Sequence, residues 1–417
     1  MKKLTLTLLL LTVVFTTIWA QKRWTDSVYV DHIKTVLMYP SNAPLDAPLP
    51  PPIIALGGGE SLILKFDDLA YDAADYQIEL IHCDADWEVS KLKATDYLTE
   101  FNQFRINQYE YSINTRIPYV HYTFRLPNLL VSGNYILKAY QNSNPEDVLF
   151  TKRFMIFEPR VSAQAQIIAP NKTSLRLSHQ QVNVEVYYPN FEVINPQENL
   201  KISIRQNQRW DNAKKLISPT FAREDRKLLE FRAFEDELTF PAGNEFRFVD
   251  LRTVNFKSRN VADIIIEEEQ VMALVARSKA RGQQAFAENL DINGQYVIQN
   301  RERGNSQLES EYVYTTFELE APKGQYQLLG ALSNWGSMTE ATLKTDPNDG
   351  VHYTELLLKQ GWYDFIFEAV KAGTSLEGNF FQTENEYDII IYYRDFGGRY
   401  DQIIGYTRIN PNQRRLN

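Results

Sequence analysis

Side chains that could bind a metal ion or take part in catalysis are densest in one short segment at the end of a predicted strand. An imidazole, a thiol and four carboxylates occur in it and just upstream, at His82, Cys83, Asp84, Asp86, Asp67 and Asp68. Such groups bind transition metals when they converge on one point. His82 and Cys83 should instead face opposite sides of a strand, and aspartates spaced as Asp84 and Asp86 are typical of a turn. We therefore predict a turn that directs Trp87 into the core, and no metal or other cofactor site.

The remaining histidines do not form a catalytic set. His121 alternates with Val120 and Tyr122 and is predicted to lie on a strand surface or to make one satisfied polar contact. The others stand apart, at His32, His179 and His352. The motifs of serine hydrolases, phosphate-binding loops, zinc proteases and thiol oxidoreductases are absent from the sequence. We predict no catalytic residues and no enzymatic activity.

Two tryptophans offer a different chemistry, the stacking of a sugar ring on an aromatic face. Trp335 follows Asn334 and Trp362 follows Gly361, an arrangement that resembles the early-set sandwich that binds starch and glycogen. Large aromatic side chains also commonly pack at strand ends, so the two rings have a structural interpretation as well. Carbohydrate binding is therefore the alternative function.

Charge and cysteine content exclude several classes of protein. The sequence has 44 Lys and Arg against 53 Asp and Glu, a net charge of −9 at pH 7. A chain this acidic, without a basic and aromatic-rich stretch, is not expected to bind nucleic acid. Cys83 is the single cysteine, so no internal disulfide can form. The charged runs at 267–269 and at Arg277, Lys279 and Arg281 are interpreted as solvated faces.

The first twenty residues have the pattern of a secretory signal peptide. Lys2 and Lys3 precede an apolar stretch over 4–18, and Ala20 offers a small residue at a cleavage point. The stretch is too short for a membrane-spanning helix, and no later run reaches 18 apolar residues. We expect residues 1–20 to be removed, leaving a soluble periplasmic protein whose net charge changes from −9 to −11 because two lysines are lost. An uncleaved anchor is the alternative.

Short alternating runs bounded by Gly, Pro, Asn or Asp recur along the rest of the chain and predict an all-β fold. They cover 27–39, 62–66, 76–83, 119–126, 135–140, 150–157, 182–187, 200–206, 228–233, 246–255, 312–319, 326–332, 352–358, 362–369 and 387–393. We divide them into tandem immunoglobulin-like or early-set β-sandwich domains over 21–160, 161–305 and 306–417, the last of them early-set-like. The stretch 264–281 fits a strand or a helix. A membrane barrel would need strands of about 9–11 residues, longer than most of these runs.

Two local patterns support sandwich domains. In four places a glycine stands two residues before a tyrosine that opens an alternating run. These tyrosines are Tyr135, Tyr296, Tyr326 and Tyr363. We expect each tyrosine to bury its ring and to bond its hydroxyl back to the corner backbone. Six of the 18 prolines fall within 40–52, which predicts an extended polyproline-II loop. We interpret that loop as a rigid connection, with a peptide ligand for a partner as the alternative.

Several segments, taken in order, resemble one family, the Plug protein of the type IX secretion system. They are LKFDDL at 64–69, HCDADWEVS at 82–90, SINT at 112–115, VHY at 120–122, SGNY at 132–135, GNFF at 378–381, TENEY at 383–387, YYR at 392–394 and RYD at 399–401. Their order and spacing extend through nearly the whole chain after the leader. The proline-rich loop after Tyr39 is longer and richer in proline than the family leads us to expect.

The resemblance implies a periplasmic protein that docks on the periplasmic mouth of the giant outer-membrane β-barrel translocon and seals it while no cargo moves. A second partner of the barrel, the shuttle protein, would control its side opening in alternation. The resemblance implies no cofactor and no small-molecule substrate, and it assigns no contact residues. The residues alone predict only an exported, acidic, modular β protein. A carbohydrate-binding protein and an uncharacterised periplasmic enzyme therefore remain the alternatives.

Overall fold

A computed structural model describes residues 24–70, 72–289, 291–371 and 376–410, so the predicted leader over 1–20 lies outside the described residues. Strand accounts for 43% and helix for 5% of the chain, which confirms the all-β prediction. The described strands form six open sheets, which pack in pairs as three sandwiches. In the described part of the chain, no helix is long and apolar enough to cross a membrane.

The first sandwich contains the strands up to Phe157. They are β1 Ser27–Val28, β2 Ile33–Pro40, β3 Ile53–Ala55, β4 Leu62–Asp68, β5 Tyr76–Cys83, β6 Phe104–Arg105, β7 Gln108–Tyr111, β8 Val120–Arg125, β9 Gly133–Gln141 and β10 Val148–Phe157, with helix α1 Ala94–Tyr97. One sheet has the order β1-β10-β9-β5-β6, with β3 parallel to β10, and the other has the order β2-β4-β8-β7. The predicted run 27–39 is therefore divided between two sheets. Residues 41–52 are neither helix nor strand, as their proline content predicts.

The second sandwich begins after the first ends. Its strands are β11 Ser162–Ile168, β12 His179–Tyr187, β13 Leu200–Gln206, β14 Lys214–Ile217, β15 Phe221–Arg223, β16 Leu228–Phe231 and β17 Thr239–Pro241, with helix α2 Pro196–Asn199 and the 3-10 turns Thr173–Leu175 and Glu224–Arg226. One sheet has the order β11-β12-β16-β15, and β17 also pairs with β12. Alternate residues of β12 such as Val182, Val184 and Val186 face the core because successive side chains point to opposite faces of a strand.

The third sandwich follows directly. Its strands are β18 Arg247–Asp250, β19 Val261–Ile266, β20 Val271–Val275, β21 Ser278–Lys279, β22 Tyr296–Ile298, β23 Tyr312–Glu320, β24 Tyr326–Leu329, β25 Lys344–Thr345, β26 His352–Lys359 and β27 Gly361–Ala369, with 3-10 turns Ala331–Ser333 and Thr339–Ala341. One sheet has the order β18-β27-β22 with β24 on β27, and the other has the order β19-β20-β23-β26-β25 with β21 on β23. The ambiguous stretch 264–281 thus contains strands and no helix. The core contains Phe317, Phe365 and Phe367.

The chain then returns to the second sandwich. β28 Tyr387–Tyr393 pairs with β13, and β29 Gln402–Ile409 pairs with β28, giving the order β14-β13-β28-β29. The predicted boundary between 161–305 and 306–417 is therefore wrong, because the third sandwich is inserted between two parts of the second. Alternation identifies which residues of a strand are buried but not which strand it pairs with, so it cannot reveal such an insertion.

Three of the four predicted tyrosine corners are confirmed. The hydroxyls of Tyr135, Tyr326 and Tyr363 donate to the carbonyls four residues earlier, those of Val131 at 2.8 Å, of Pro322 at 2.7 Å and of Lys359, respectively. The fourth ring, Tyr296, stacks on Tyr363 with ring centroids 5.3 Å apart. Each of the three hydroxyl hydrogen bonds closes the corner at which a strand begins.

The first of these corners leaves no room for a side chain at Gly133. Its φ of +148° is unfavourable for other residues, and a Cβ there would clash with Nε2 of His82. We expect Gly133→Ala to lower the free energy of unfolding by about 2–4 kcal/mol, through backbone strain and overpacking together. Urea unfolding measures the change. Gly59→Ala is the control, since Gly59 has a φ of +79° but open space around it. Equal losses for the two variants would show that the clash is unimportant.

Candidate functional site

The segment that follows β5 forms the predicted turn. The Trp87 amide donates to the carbonyl of Asp84 at 2.9 Å, and the Glu88 amide donates to Oδ1 of Asp86 at 3.1 Å. Trp87 has a φ of +70° and is only 1% exposed. The tight turn therefore directs the indole inward, as the sequence predicted.

His82 and Cys83 lie on opposite faces of β5. The His82 ring packs edge-to-face on Tyr135 with centroids 4.8 Å apart, and its Nδ1 is 2.8 Å from Oγ of Ser90. Burial lowers the pKa of His82 to about 4. Cys83 instead belongs to the apolar cluster that contains Trp87, and burial raises the pKa of its thiol to about 12. These two groups consequently cannot bind one ion together.

The apolar cluster around Trp87 joins the first sandwich to the second. Its residues come from both, at Ile53, Cys83, Ala85, Trp87, Ile136, Met155, Ile390, Tyr392 and Ile403. The Trp87 ring meets Trp210 edge-to-face at 5.0 Å, and the guanidinium of Arg153 lies 4.4 Å from the Trp87 ring centroid. The tryptophan that the sequence assigned to a core thus lies in the core between two sandwiches.

Asp84 takes part in a network of ion pairs and hydrogen bonds at the same junction. Arg394 bridges its carboxylate, at 2.9 Å, and that of Asp401, at 2.7 Å. Asp401 in turn accepts the Ala85 amide at 2.9 Å and donates its own amide to Asp84 at 3.1 Å. The three motif segments that contain these residues, at 82–90, 392–394 and 399–401, therefore meet directly.

Asp67 is the hub of the junction between the first and third sandwiches. Its Oδ1 accepts Nδ1 of His121 at 2.6 Å, and its Oδ2 accepts Nζ of Lys359 at 2.6 Å and the hydroxyl of Tyr312 at 2.7 Å. Thr35 extends the network, since its Oγ1 lies 2.7 Å from the Tyr312 hydroxyl. One buried carboxylate thus binds donors from both sandwiches.

The surroundings of Asp67 keep it ionised. Burial opposes ionisation, but Lys359 and the hydrogen bonds from His121 and Lys359 together hold the pKa of Asp67 below its ordinary value. Burial lowers the pKa of Lys359, an effect that the carboxylate partly offsets. Arg116 adds a second ion pair across this junction, with Glu311 at 2.9 Å. The junction is therefore polar and charged where most interiors are apolar.

A cavity of about 410 Å³ adjoins this network. It lies between the two sandwiches, and part of the proline-rich loop borders it. Its lining residues are Thr35, Leu37, Tyr39, Leu45, Asp46, Ala47, Leu49, Lys65, His121, Tyr296, Val297, Ile298, Gln299, Gly304, Asn305, Ser306, Gln307 and Lys359. Nothing in the sequence marks this site, because its two walls come from distant parts of the chain, 35–121 and 296–359, which no local pattern connects.

Four carboxyl groups gather where the third sandwich returns to the second, at Glu245, Asp291, Asp364 and Glu384. Burial and the nearby Asp291 raise the pKa of Glu245 to about 8 and that of Asp364 to about 7. Glu245 and Asp291 share a hydrogen bond, which requires a proton on one of them. Among the described residues, no group of three or more His, Cys, Asp or Glu side chains is arranged to hold a metal ion.

The two tryptophans considered for sugar binding are engaged within the chain. Trp362 stacks on Phe248 with centroids 4.1 Å apart and an interplanar angle of 13°. Trp335 meets Phe246 edge-to-face at 6.0 Å and lies 4.5 Å from the guanidinium of Arg209. These contacts favour the packing interpretation over a paired sugar platform.

The remaining predicted positions divide between surface and interior. His121 makes the one polar contact that the sequence allowed, but it is 6% exposed and does not lie on the surface. Arg277 and Lys279 are exposed and pair with Glu318 and Glu320, as expected of solvated faces. Arg281 was wrongly placed with them, because its side chain is mostly buried and pairs with Glu377.

The remaining three histidines lie apart from one another in the chain. The ring of His352 is buried and lies 3.1 Å from the carbonyl of Pro322, while His179 is half-buried and bonds to Ser178. His32 is half-buried, and its carbonyl accepts the Leu69 amide at 2.9 Å. None of these three contacts includes a carboxylate partner.

The residues that sequence reasoning missed are Lys359, Tyr312 and Glu311. Asp67 and Lys359 are 292 positions apart, so no local pattern connects them. A lysine at the end of an alternating run is ordinarily a solvated residue. The partners of Asp84 carried a signal, because Arg394 and Asp401 belong to the segments that resemble the secretion family.

Comparison with known proteins identifies a matching family model and a similar solved structure. Residues 33–158 match the family model described as the type 9 secretion system plug protein 1st domain. A hypothetical protein from Parabacteroides merdae ATCC 43184 is 29% identical, and its crystal structure superposes with a TM-score of 0.87 over 94% of this chain and 100% of that one. The fold described above is thus shared over nearly the full length of both chains.

Two more distant structural matches are too weak to support a conclusion about this chain. Alpha-2-macroglobulin from Salmonella is 10% identical with a TM-score of 0.20, covering 93% of this chain and 24% of that one. The Escherichia coli protein is 9% identical with a TM-score of 0.19, covering 92% and 22%. No curated protein matches the sequence.

The buried pair of Asp67 and Lys359 can be tested by a double-mutant cycle. Removing either charge leaves the other one buried, so Asp67→Asn and Lys359→Met should each cost about 3–5 kcal/mol, and the double variant less than their sum. Urea unfolding measures each value. The same cycle on the exposed pair of Lys172 and Asp236 should give at most about 1 kcal/mol. Simple additivity at Asp67 and Lys359 would contradict a coupled pair.

The carboxyl cluster should make stability depend on pH. The folded protein holds the proton of Glu245 up to about pH 8, whereas the unfolded chain releases it near pH 4.5. The folded state therefore binds more protons between these values, and the free energy of unfolding should fall as pH rises from 5 to 8. Glu245→Gln should reduce this slope, as measured by urea unfolding at several pH values. The exposed Glu340→Gln should leave the slope unchanged; an unchanged slope in Glu245→Gln would contradict the assignment.

Proposed function

We propose that this chain, which carries the type 9 secretion system plug protein 1st domain at residues 33–158, docks on the periplasmic end of the outer-membrane β-barrel translocon and closes it while no cargo passes. The family match is the observation that carries the proposal. The function requires export of the mature chain to the periplasm, in agreement with the leader-like pattern of the first twenty residues. The chain would act as a secretion component and not as an enzyme.

Rigidity supports a sealing role. A stopper must keep its shape against a wide opening, and separately mobile sandwiches would let it leak. Here the first sandwich is held to the third by Asp67 and to the second by Asp84 and Trp87. The third is also inserted into the second, so two chain crossings link them. Interdomain contacts of this kind restrict the relative motion that separate domains otherwise show.

Exposed aromatic side chains provide a docking surface. Phe101 is 81% and Phe396 is 86% exposed, and they are among the most exposed large apolar side chains of the described residues. The segments that carry them are close to each other, because Asp96 in helix α1, shortly before Phe101, forms an ion pair at 3.2 Å with Arg399, shortly after Phe396. Exposed apolar groups on loops held by a rigid scaffold are typical of protein contacts. We assign this end of the molecule, called here the Phe101–Phe396 surface, to the barrel contact.

The net charge of the chain also favours binding to the barrel. The sequence carries an excess of nine acidic residues over basic ones, so basic groups around the periplasmic rim of the barrel would attract it. Such attraction mainly accelerates association and weakens as salt increases. Closing a wide opening also requires a broad contact, of about 1,600 Å² or more.

The docking surface is tested by a double substitution. Phe101→Ser with Phe396→Ser should leave stability nearly unchanged, since both rings are exposed, but should reduce copurification of the barrel with the tagged chain by about tenfold or more, as loss of two aromatic anchors predicts. The strain that carries this variant should admit large antibiotics or dyes across its outer membrane. Phe234→Ser is the matched control, because Phe234 is 72% exposed and lies on a different connection, between β16 and β17.

Deletion of the gene tests the function itself. The outer membrane should become permeable to large dyes while the barrel is still present. A deletion strain as impermeable as its parent would refute the sealing role. A permeable deletion strain combined with a fully active double variant would retain the role and refute the Phe101–Phe396 surface.

A further inference from the structure

The cavity between the first and third sandwiches has the size and lining of a small-ligand site. Its volume of about 410 Å³ falls within the range of roughly 300–1,000 Å³ that is typical of ligand pockets. Apolar side chains border it from both sides, Leu37, Leu45, Ala47 and Leu49 from the first sandwich and Val297 and Ile298 from the third. Polar residues, among them Lys65, His121 and Lys359, complete the lining, and such groups can fix the orientation of a ligand.

His121 is one of the lining residues, and its ring has an unsatisfied polar atom. Its Nε2 is buried and has no hydrogen-bond partner, although its Nδ1 is bonded to Asp67. The Asp67 carboxylate can only accept, so Nδ1 must carry the hydrogen of that bond. In the neutral ring, Nε2 is then an acceptor. A buried acceptor without a donor is unfavourable, and a ligand that supplies the donor would relieve this cost.

A cationic donor lines the same cavity. Nζ of Lys65 donates to Oε1 of Gln307 at 2.7 Å, and an ammonium group has three N–H donors in all. Lys359 is also among the lining residues, but Asp67 and the carbonyl of Gln307 already accept from it. A hydroxyl group matches an acceptor and a donor together, because it can donate to His121 and accept from Lys65.

The backbone of the cavity wall is strained. Thr35 has a φ of +51°, at a point where the register between β2 and β4 shifts. Such a φ is unfavourable for a β-branched residue, and strain of this kind concentrates at functional sites. The unusual conformation allows Oγ1 of Thr35 to reach the Tyr312 hydroxyl, 2.7 Å away, and so connects the wall to the Asp67 network.

We propose that this cavity binds a small amphipathic molecule whose apolar body lies between the proline-rich loop and β22 and whose hydroxyl group donates to Nε2 of His121. The site is independent of the proposed sealing function, since it lies at the junction of two sandwiches and includes neither Phe101 nor Phe396. The expectation that the chain has no small-molecule substrate is unaffected, because the ligand is bound and not converted.

The probe is 1-octanol, compared with 2-octanone, which has a similar size but no hydrogen-bond donor. Ligand-observed NMR on the full chain measures both dissociation constants. We expect 1-octanol to bind about five- to tenfold more tightly, as one hydrogen bond to a buried acceptor predicts. His121→Asn should remove this preference, because the asparagine amide can still donate to Asp67 but offers no atom in place of Nε2.

A second variant blocks the cavity without changing the Asp67 network. Ala47→Phe should abolish binding of both probes, because Ala47 lines the cavity, whereas Ala43→Phe on the same loop should not, because Ala43 is not among its lining residues. Circular dichroism confirms that each variant is folded. Absence of octanol binding to the unmodified chain, equal affinity for the two probes, or unchanged binding to Ala47→Phe would each refute the site.

Discussion

The buried carboxylate of Asp67 is the constraint on which the arrangement of the sandwiches depends. An ionised carboxylate away from water is tolerated only when donors surround it, and here the donors come from two separate sandwiches. Asp67 lies directly opposite His121 across the β4–β8 pair, and Tyr312 lies opposite Lys359 across the β23–β26 pair. Two cross-strand pairs therefore meet at one charge. A slip of either pair by one residue would move its donors to the other face of the sheet and leave the charge unsatisfied.

The second sandwich repeats this arrangement around a different aspartate. Asp388 lies opposite Arg205 on one side and Arg408 on the other, and it bonds to both side chains and to the Tyr406 hydroxyl. The three groups lie on adjacent strands of one sheet, so the charge fixes the position of the returning strand β28. Buried ion pairs of this kind contribute less to stability than to the choice of one arrangement. The sealing role proposed above would depend on that choice of one arrangement.

Local features of the fold could be predicted from the sequence, and long-range ones could not. Alternation predicts which face of a strand is buried, a glycine before a tyrosine predicts a corner such as that of Tyr135, and two aspartates predict the turn before Trp87. Each of these depends on residues only a few positions apart. The insertion of the third sandwich, the partners of Asp67 and the cavity depend on pairs such as Asp67 and Lys359, which only the folded chain brings together. The resemblance to a secretion family supplied the proposed function because it compares the whole chain at once.

The cavity and the charged network at the first junction have a common physical origin. Apolar side chains fill space by interdigitating, but the lining near Asp67 is occupied by Lys65, His121 and Lys359, whose positions are set by hydrogen bonds and not by volume. The proline-rich loop borders the space from the other side, and proline restricts the backbone changes by which a loop could close over it. An unsatisfied Nε2 on His121 costs about 1–3 kcal/mol, and a hydrophobic replacement of the whole network would avoid that cost. The junction is therefore not arranged for stability alone.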